Sequence, residues 1–301
     1  MLRPLAPPTR SQLFVPADRP DRYSKAVATG ADALILDLED AVPLRSKALA
    51  REAMVEFLRG RASDAEPAVL VRVNAADTDL FLDDVLAATE AGATGIALPK
   101  VCGPDDVIGL DRLLEAIERR QGGGVGSTLI WPLLETAAAI RDAYRIGLAS
   151  ARVAYMGGLT VRGGDIERGI GFRWSAAGAE TAAFRASVLL DARAAAVPSP
   201  LTGVWTDIAD LDGLRSFALQ GRAFGYEGMA VIHPSHVAVV NEVFEPSEEE
   251  LDKDRRLIEA LADADADGSA SIRFEGEMVD LAMARSARAR LERAGRRVPG
   301  D

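Results

Sequence analysis

The stretch "ALILDLEDAVP", residues 33–43, runs from a continuous apolar segment into three carboxylates, Asp37, Glu39 and Asp40. An apolar run of this kind is typical of a parallel strand that is covered on both faces. Acidic side chains do not fit the core, but they do fit the carboxyl end of a barrel strand, where a (β/α)8 barrel places its chemistry. The stretch therefore predicts a barrel with polar chemistry at the ends of its strands.

Further apolar runs of strand length repeat along the chain at 11–17, 68–74, 95–100, 128–135, 152–158, 200–207 and 228–234. Most of the segments between them are rich in Ala, Leu, Arg and Glu, a composition that favours helices. Eight such strand–helix units match the (β/α)8 TIM barrel in number and length. A doubly wound open sheet is the alternative, but eight units in one domain favour closure. We predict an α/β catalytic barrel over residues 10–243.

Residues 246–301 do not form a ninth unit, and we expect a C-terminal helical extension, or lid, in which a loop joins two helices. Ser247 and Glu250 have the spacing of a capping box at the start of the first helix. The segment is polar and short, so we expect it to lack a core of its own and to pack on its own barrel or on a neighbouring subunit.

Composition excludes several classes of protein. The 301 residues carry a net charge of −11, which argues against a nucleic-acid partner because phosphate binding needs clustered Lys and Arg. The one cysteine, Cys102, allows neither an intramolecular disulfide nor a cysteine metal cluster. No run approaches the roughly 18 apolar residues of a membrane span. We expect a cytoplasmic protein without a membrane partner.

The predicted strand ends bring oxygen-rich and cationic side chains to one face. These residues are Asp37, Glu39, Asp40, Arg72, Asn74, Pro99, Lys100, Glu135 and, in the loop after the sixth strand, Asp165. Carboxylates with few histidines suit Mg²⁺, and an arginine offers a fork for a substrate carboxylate. Each residue alone is ambiguous, since a single strand-end acid more often serves an ion pair or a helix cap. The set as a whole predicts a metal-dependent barrel enzyme acting on an acidic small molecule.

Several longer motifs resemble one known family. "RSQLFVPADRPDRYSKA" (10–26), "ADALILDLEDAVPLRSKALAR" (31–51), "GMAVIHPSHVAVVNEVFEPSEEEL" (228–251) and "EGEMVD" (275–280) are similar to the citrate lyase β-subunit and malyl-CoA lyase family of the HpcH/HpaI aldolase superfamily. The resemblance extends from residue 10 to about residue 290. It implies a (β/α)8 barrel with a C-terminal extension, usually a homotrimer. It also implies formation or cleavage of a carbon–carbon bond that depends on Mg²⁺, for which Mn²⁺ can substitute.

The resemblance also implies roles for individual residues. Glu135 and Asp165 would be the metal ligands, and Arg72 would bind the substrate carboxylate. Asp280 would act as acid or base in the active site of an adjacent subunit. Asn74, Pro99 and Lys100 are then candidates for substrate contact, while Asp37, Glu39 and Asp40 would surround the metal and hold its waters.

The predicted function is a lyase like malyl- or citramalyl-CoA lyase, acting on an oxo acid and a CoA thioester. The segment "GGLTVRGG" (157–164) is longer than usual in this family, so the substrate stays open. The extension with Asp280 favours the CoA-lyase branch. The alternative is an assembly component like the citrate lyase β-subunit, or a non-catalytic ligand-binding paralogue.

Overall fold

The computed structural model describes residues 7, 9–61, 67–175, 178–266 and 271–299. Its first eight strands are β1 Ser11–Pro16, β2 Ala33–Asp37, β3 Ala68–Arg72, β4 Gly95–Leu98, β5 Leu129–Leu134, β6 Tyr155–Gly158, β7 Ser199–Thr202 and β8 Gly228–Val231. The helices that lie among and after them are α1 Tyr23–Val27, α2 Lys47–Gly60, α3 Phe81–Glu90, α4 Pro104–Gln121, α5 Ala137–Arg141, α6 Ala143–Leu148, α7 Asp165–Ile170, α8 Ala182–Ala194, α9 Leu211–Phe224 and α10 Pro234–Phe244.

The eight strands form a closed parallel barrel in sequence order. Each strand pairs with the next, and β8 pairs with β1 through Ala230 and Gln12 to close the cylinder. The predicted (β/α)8 barrel is confirmed, including all eight strands. Because the strands are parallel, their carboxyl ends lie on one face, and the polar residues that follow them are brought together there.

Burial on both faces of the strands explains why they are apolar almost throughout. In β2, Leu34 and Leu36 belong to the layer between the barrel and its helices, whereas Ile35 belongs to the cluster inside the barrel. Trp131 and Tyr155 fill the same interior with ring centroids 6.3 Å apart. Alternate side chains therefore enter two different apolar layers, as expected for a parallel sheet that is covered by helices.

The chain divides into two compact units after Phe244. The second unit contains α11 Glu248–Ala266, β9 Ser271–Phe274, β10 Glu277–Asp280 and α12 Leu281–Arg293. The predicted capping box is present, because Glu250 N donates to Ser247 Oγ at 3.1 Å and Ser247 N donates to Glu250 Oε2 at 2.8 Å.

Two expectations for this segment were wrong. The predicted loop between its helices contains an antiparallel hairpin, whose turn residues Glu275 and Gly276 both have positive φ, 48° and 93°. A two-residue turn of this kind matches the twist of paired strands. The unit also has an apolar cluster of its own, because Val279 packs with residues of both helices, including Leu261 and Leu291.

No helix in the described part of the chain combines the length and the apolar character needed to cross a membrane.

Candidate active site

An ion pair between the ends of β2 and β3 forms one side of the carboxyl face. Asp37 and Arg72 are opposite each other in the strand register. Arg72 donates from Nε to Asp37 Oδ1 at 2.7 Å and from Nη2 to Oδ2 at 2.5 Å. Burial acts to lower the pKa of Arg72, but the hydrogen bond and charge of Asp37, with the charges of Glu39 and Glu135, raise it overall. Arg72 is therefore a permanent cation held in a fixed orientation.

The Asp37 carboxylate is fully used by protein donors. Besides both contacts from Arg72, its Oδ1 accepts from Glu39 N at 2.8 Å and its Oδ2 from Ala41 N at 3.3 Å. A carboxylate offers about four acceptor sites, so none is left for a metal-bound water. The role predicted for Asp37 as a holder of such waters does not fit this arrangement. Its function is to fix the turn that follows β2 and the guanidinium of Arg72.

Glu39 links Arg72 to Lys100. Its two oxygens lie 3.0 Å from Arg72 Nη1 and 2.7 Å from Lys100 Nζ, without the angles of hydrogen bonds. Lys100 Nζ also lies 3.5 Å from Asp40 Oδ1. Asp40 is mostly exposed, whereas Glu39 is buried. Of the three acids in the opening stretch, Asp40 is the one that solvent reaches most readily.

Lys100 connects this cluster to Glu135, which follows β5. Its backbone N–H donates to Glu135 Oε1 at 2.8 Å, and its φ of 53° lies in the left-handed region that non-glycine residues seldom adopt. Local backbone strain of this kind is concentrated at functional sites. Pro99, just before Lys100, is buried. The predicted site residues Arg72, Lys100 and Glu135 are therefore brought together with Glu39.

Glu135 is a half-buried carboxylate in a site that disfavours its negative charge. Burial raises its pKa to about 7, although the Lys100 N–H and the charge of Arg72 act to lower it. The charges of Glu39 and Asp165 raise it further. Among the described residues, Lys100 N is its one hydrogen-bond donor. A divalent cation would supply the positive charge that this carboxylate lacks.

Asp165 is the first residue of α7 and forms an ion pair with Arg168 on the same helix. It is half-buried, and its charge acts on Glu135. No group of three or more His, Cys, Asp or Glu side chains suited to a metal occurs among the described residues. Mg²⁺ is held by one or two carboxylates and keeps several waters. Glu135 and Asp165 therefore fit a magnesium ion better than they fit a metal that needs a full protein cage.

Asn74 has a different position from the one that its predicted role requires. Its side chain is buried, and its Nδ2 donates to Asp84 Oδ2 at 2.6 Å and to Leu38 O at 3.1 Å. Asp84 in turn accepts from Arg51 Nε at 2.8 Å. The prediction that Asn74 contacts substrate does not fit, because one amide hydrogen holds the turn after β2 and the other is bound by Asp84 on α3.

Lys47, which the sequence did not single out, holds the same turn. Its Nζ donates to Leu38 O at 2.7 Å and to Glu39 O at 2.8 Å. Burial lowers the pKa of Lys47, while surrounding acids, with Asp37 and Asp84 first, act to raise it. The one signal in the sequence is the position of Lys47 shortly after the acidic stretch. This position does not show that its ammonium group binds backbone carbonyls.

Asp280 lies in the second unit, at the end of β10. Its Oδ1 accepts from Ala282 N at 2.9 Å and Met283 N at 3.1 Å, which makes it the N-cap of α12. The residue is exposed. Its other oxygen, Oδ2, takes no part in the cap, so the capping role leaves part of the carboxylate available for chemistry.

Comparison with known proteins gives the family. Residues 10–234 match the profile of the HpcH/HpaI aldolase/citrate lyase family. The chain belongs to this family. It is 32% identical over 286 residues to the citrate lyase subunit beta of Escherichia coli, covering 95% of this chain and 93% of the relative. It is 30% identical over 304 residues to the L-malyl-CoA/beta-methylmalyl-CoA lyase of Cereibacter sphaeroides, covering 94% of each.

A solved structure of the family agrees with this assignment. The protein CitE from Mycobacterium tuberculosis, in complex with magnesium, acetoacetate and coenzyme A, is 29% identical to this chain with a TM-score of 0.73. The match covers 95% of this chain and 98% of that one. The predicted family is confirmed, and so is the class of enzyme, a carbon–carbon lyase.

Proposed function

We propose that this family member is a magnesium-dependent lyase that cleaves or forms the carbon–carbon bond of a 3-hydroxyacyl-CoA, like malyl- or citramalyl-CoA lyase. The observation that carries the proposal is the pair of carboxylates, Glu135 and Asp165, within electrostatic reach of each other and beside the cations Arg72 and Lys100. Such a set can accept a divalent cation and an anionic substrate together. Membership of a lyase family and the magnesium in a related structure support the same reading.

In the cleavage direction, C3 carries both the hydroxyl and the substrate carboxylate. The hydroxyl gives its proton to solvent water while the C2–C3 bond breaks and a carbonyl forms at C3. The electron pair passes to C2 as the enolate of the thioester, which then takes up a proton. The products are a 2-oxo acid and an acyl-CoA. Magnesium held by Glu135 and Asp165 would polarise the oxygen at C3 and stabilise the developing negative charge.

Arg72 would orient the substrate carboxylate with the part of its guanidinium that remains available. Nε and one hydrogen of Nη2 are directed to Asp37, and Nη1 contacts Glu39, so a second hydrogen on Nη1 and one on Nη2 remain. The fork predicted for the substrate carboxylate would therefore be the outer edge of the guanidinium, formed by Nη1 and Nη2. Lys100 adds a second positive charge at the same side.

The proton at C2 requires a separate group, because Glu135 and Asp165 would be occupied by the metal. We assign it to Asp280 of another copy in a cytoplasmic homotrimer, as the family resemblance implies. Its exposed position and the oxygen that does not cap α12 support this role. The acid would act directly on C2 rather than through the metal.

The test is release of a 2-oxo acid from a panel of 3-hydroxyacyl-CoA thioesters, with and without Mg²⁺. We expect turnover that EDTA abolishes, that excess Mg²⁺ restores, and that Glu135→Gln removes. Glu52→Gln is the control, because Glu52 is exposed on α2 and lies outside the site. Turnover of thioesters only when they are attached to a carrier protein would favour a citrate lyase β-subunit, and binding without turnover would favour a non-catalytic paralogue.

A further inference from the structure

A cavity that opens to solvent lies between the loop after β6 and the loop after β7. Its walls include the indoles of Trp174 and Trp205, the side chain of Val204 and the arginine Arg162. Small-molecule pockets have mostly apolar walls with a few polar groups. The cavity therefore has the lining of a site for the apolar part of a small molecule.

The cavity shares a loop and an apolar side-chain layer with the candidate active site. Arg162 precedes Asp165 by three residues in the same loop. Val204 belongs to the apolar cluster inside the barrel, against which Phe14 packs, and Phe14 lies under the guanidinium of Arg72 at 5.1 Å. One wall of the cavity is thus part of the side-chain layer that also supports Arg72.

The aromatic walls are fixed by contacts behind them. Both Trp174 and Trp205 pack on Phe217, with ring centroids 6.2 Å and 5.8 Å away. Trp205 Nε1 donates to Asp210 O at 3.1 Å. A Cβ on Gly203 would lie 2.4 Å from Thr160 N, so the two loops pack directly against each other at this point. These contacts indicate a built pocket rather than a gap between loosely placed loops.

The lining indicates the chemistry of the occupant. Two indoles and a valine favour an apolar group. Arg162 is exposed, and no hydrogen bond or ion pair is recorded for it among the described residues. Asp207, the acid in the wall, accepts from Ala209 N and Asp210 N at 3.1 Å and 3.3 Å, both on Oδ1. The apolar walls therefore suit hydrocarbon, and the two charged residues in the lining, Arg162 and Asp207, have opposite signs.

We propose that this cavity receives a branched or cyclic apolar substituent of the substrate. The inference rests on the proposed function and specifies the substrate further: the preferred 3-hydroxyacyl-CoA is bulkier than malyl-CoA. The substituent is carried either by the 2-oxo acid or by the acyl group, and the experiment separates these two sources.

The experiment measures kcat/KM in the condensation direction with Mg²⁺. One arm pairs acetyl-CoA with glyoxylate, pyruvate or 4-methyl-2-oxopentanoate, and the other pairs glyoxylate with acetyl-CoA, 3-methylbutanoyl-CoA or phenylacetyl-CoA. We expect a bulky member of one arm to exceed its smallest member. Trp205→Ala should reduce that preference by at least about tenfold, since a single methylene in an apolar pocket is worth roughly 10–200-fold. Trp205→Leu is the second variant in case the alanine variant fails to fold.

Tyr144→Ala is the matched control, because it removes an exposed aromatic side chain from α6, away from the cavity. Binding is read independently from tryptophan fluorescence of the unmodified protein. Two of its three tryptophans line the cavity and the third, Trp131, is buried in the barrel. We expect 4-methyl-2-oxopentanoate or 3-methylbutanoyl-CoA to change the emission, and the change to shrink in Trp205→Leu.

The outcomes distinguish the inference from the function on which it rests. If no pair reacts in the presence of Mg²⁺, the proposed function is wrong. If glyoxylate and acetyl-CoA react best and Trp205→Ala keeps the same order of preference, the proposed function stands and the cavity has no role in substrate selection. The same conclusion follows if Tyr144→Ala alters the preference as much as Trp205→Ala does.

Discussion

Replacing Arg72 by Lys tests how the cationic side of the site is built. Arg72 makes two hydrogen bonds to the buried Asp37 and one further ion pair to Glu39. An ammonium group is a single point charge and cannot reproduce the planar fork. Arg72→Lys would keep the charge and about one of the three contacts.

The expected cost follows from these contacts. A hydrogen bond between charged groups contributes roughly 1.5–3 kcal/mol. Loss of one such bond and one ion pair should lower the free energy of unfolding by about 2–3 kcal/mol, because Lys keeps the positive charge beside Asp37. In kcat/KM we expect a larger effect, about 10²–10³-fold, since the substrate carboxylate also loses its oriented donors.

The assay combines urea unfolding with kcat/KM on the best thioester of the panel. Arg10→Lys is the matched control, because Arg10 forms the same two-pronged contact with Asp32 at the amino-terminal end of the barrel. It should cost stability but leave kcat/KM unchanged. If Arg72→Lys loses stability with normal kcat/KM, Arg72 is only structural. If neither quantity changes, the reasoning about the fork is refuted.

Three further predictions concern Asp280, Lys47 and Glu118. Asp280→Ser should leave the melting temperature unchanged, because Ser caps a helix about as well as Asp, yet reduce kcat by about 10²–10⁴-fold. Partial recovery of activity on exchange with inactive Glu135→Ala subunits would place the acid in a neighbour's site. Normal turnover would show that Asp280 is only a helix cap. Lys47→Met should preserve the fold but reduce activity by about 10–100-fold, because the turn after β2 loses the ammonium group that holds it. Activity equal to wild type would show that this turn does not need Lys47. Burial acts to raise the pKa of Glu118, but hydrogen bonds from Arg152 and two backbone amides hold it at about 2, below the unfolded value of about 4.3. This stabilisation is present above about pH 4.3 and is lost as the pH falls towards 2, so the unfolding free energies of wild type and Glu118→Gln should converge over that range; a difference independent of pH would contradict the pairing.

The barrel could be predicted from the sequence because its signal is local. Each strand is a short apolar run, and the parallel arrangement forces the residues that follow the strands onto one face. Glu135 and Lys100 are brought together by this rule alone. The sequence could not show which oxygens and amides are already used inside the protein.

The contacts of Asn74 and the hairpin in the second unit are two features that the sequence did not predict correctly. Asn74 follows a strand as a substrate-binding residue would, but its partner Asp84 lies on a helix and turns the amide inward. The segment before α12 was interpreted as a loop from its Gly and Ser content. The alternation of Ile272 and Phe274 with polar residues just before the Glu275–Gly276 turn was the signal for a hairpin.

Metal binding in the two ligand variants tests the central claim most directly. Mn²⁺, which the family resemblance implies can substitute for Mg²⁺, is titrated with pyruvate present and followed by electron paramagnetic resonance in wild type, Glu135→Gln, Asp165→Asn and the control Glu52→Gln. We expect one bound Mn²⁺ ion per chain in wild type and control, and an affinity for Mn²⁺ that is reduced by at least tenfold in each ligand variant. Equal binding by all four proteins would contradict the assignment of the metal to Glu135 and Asp165.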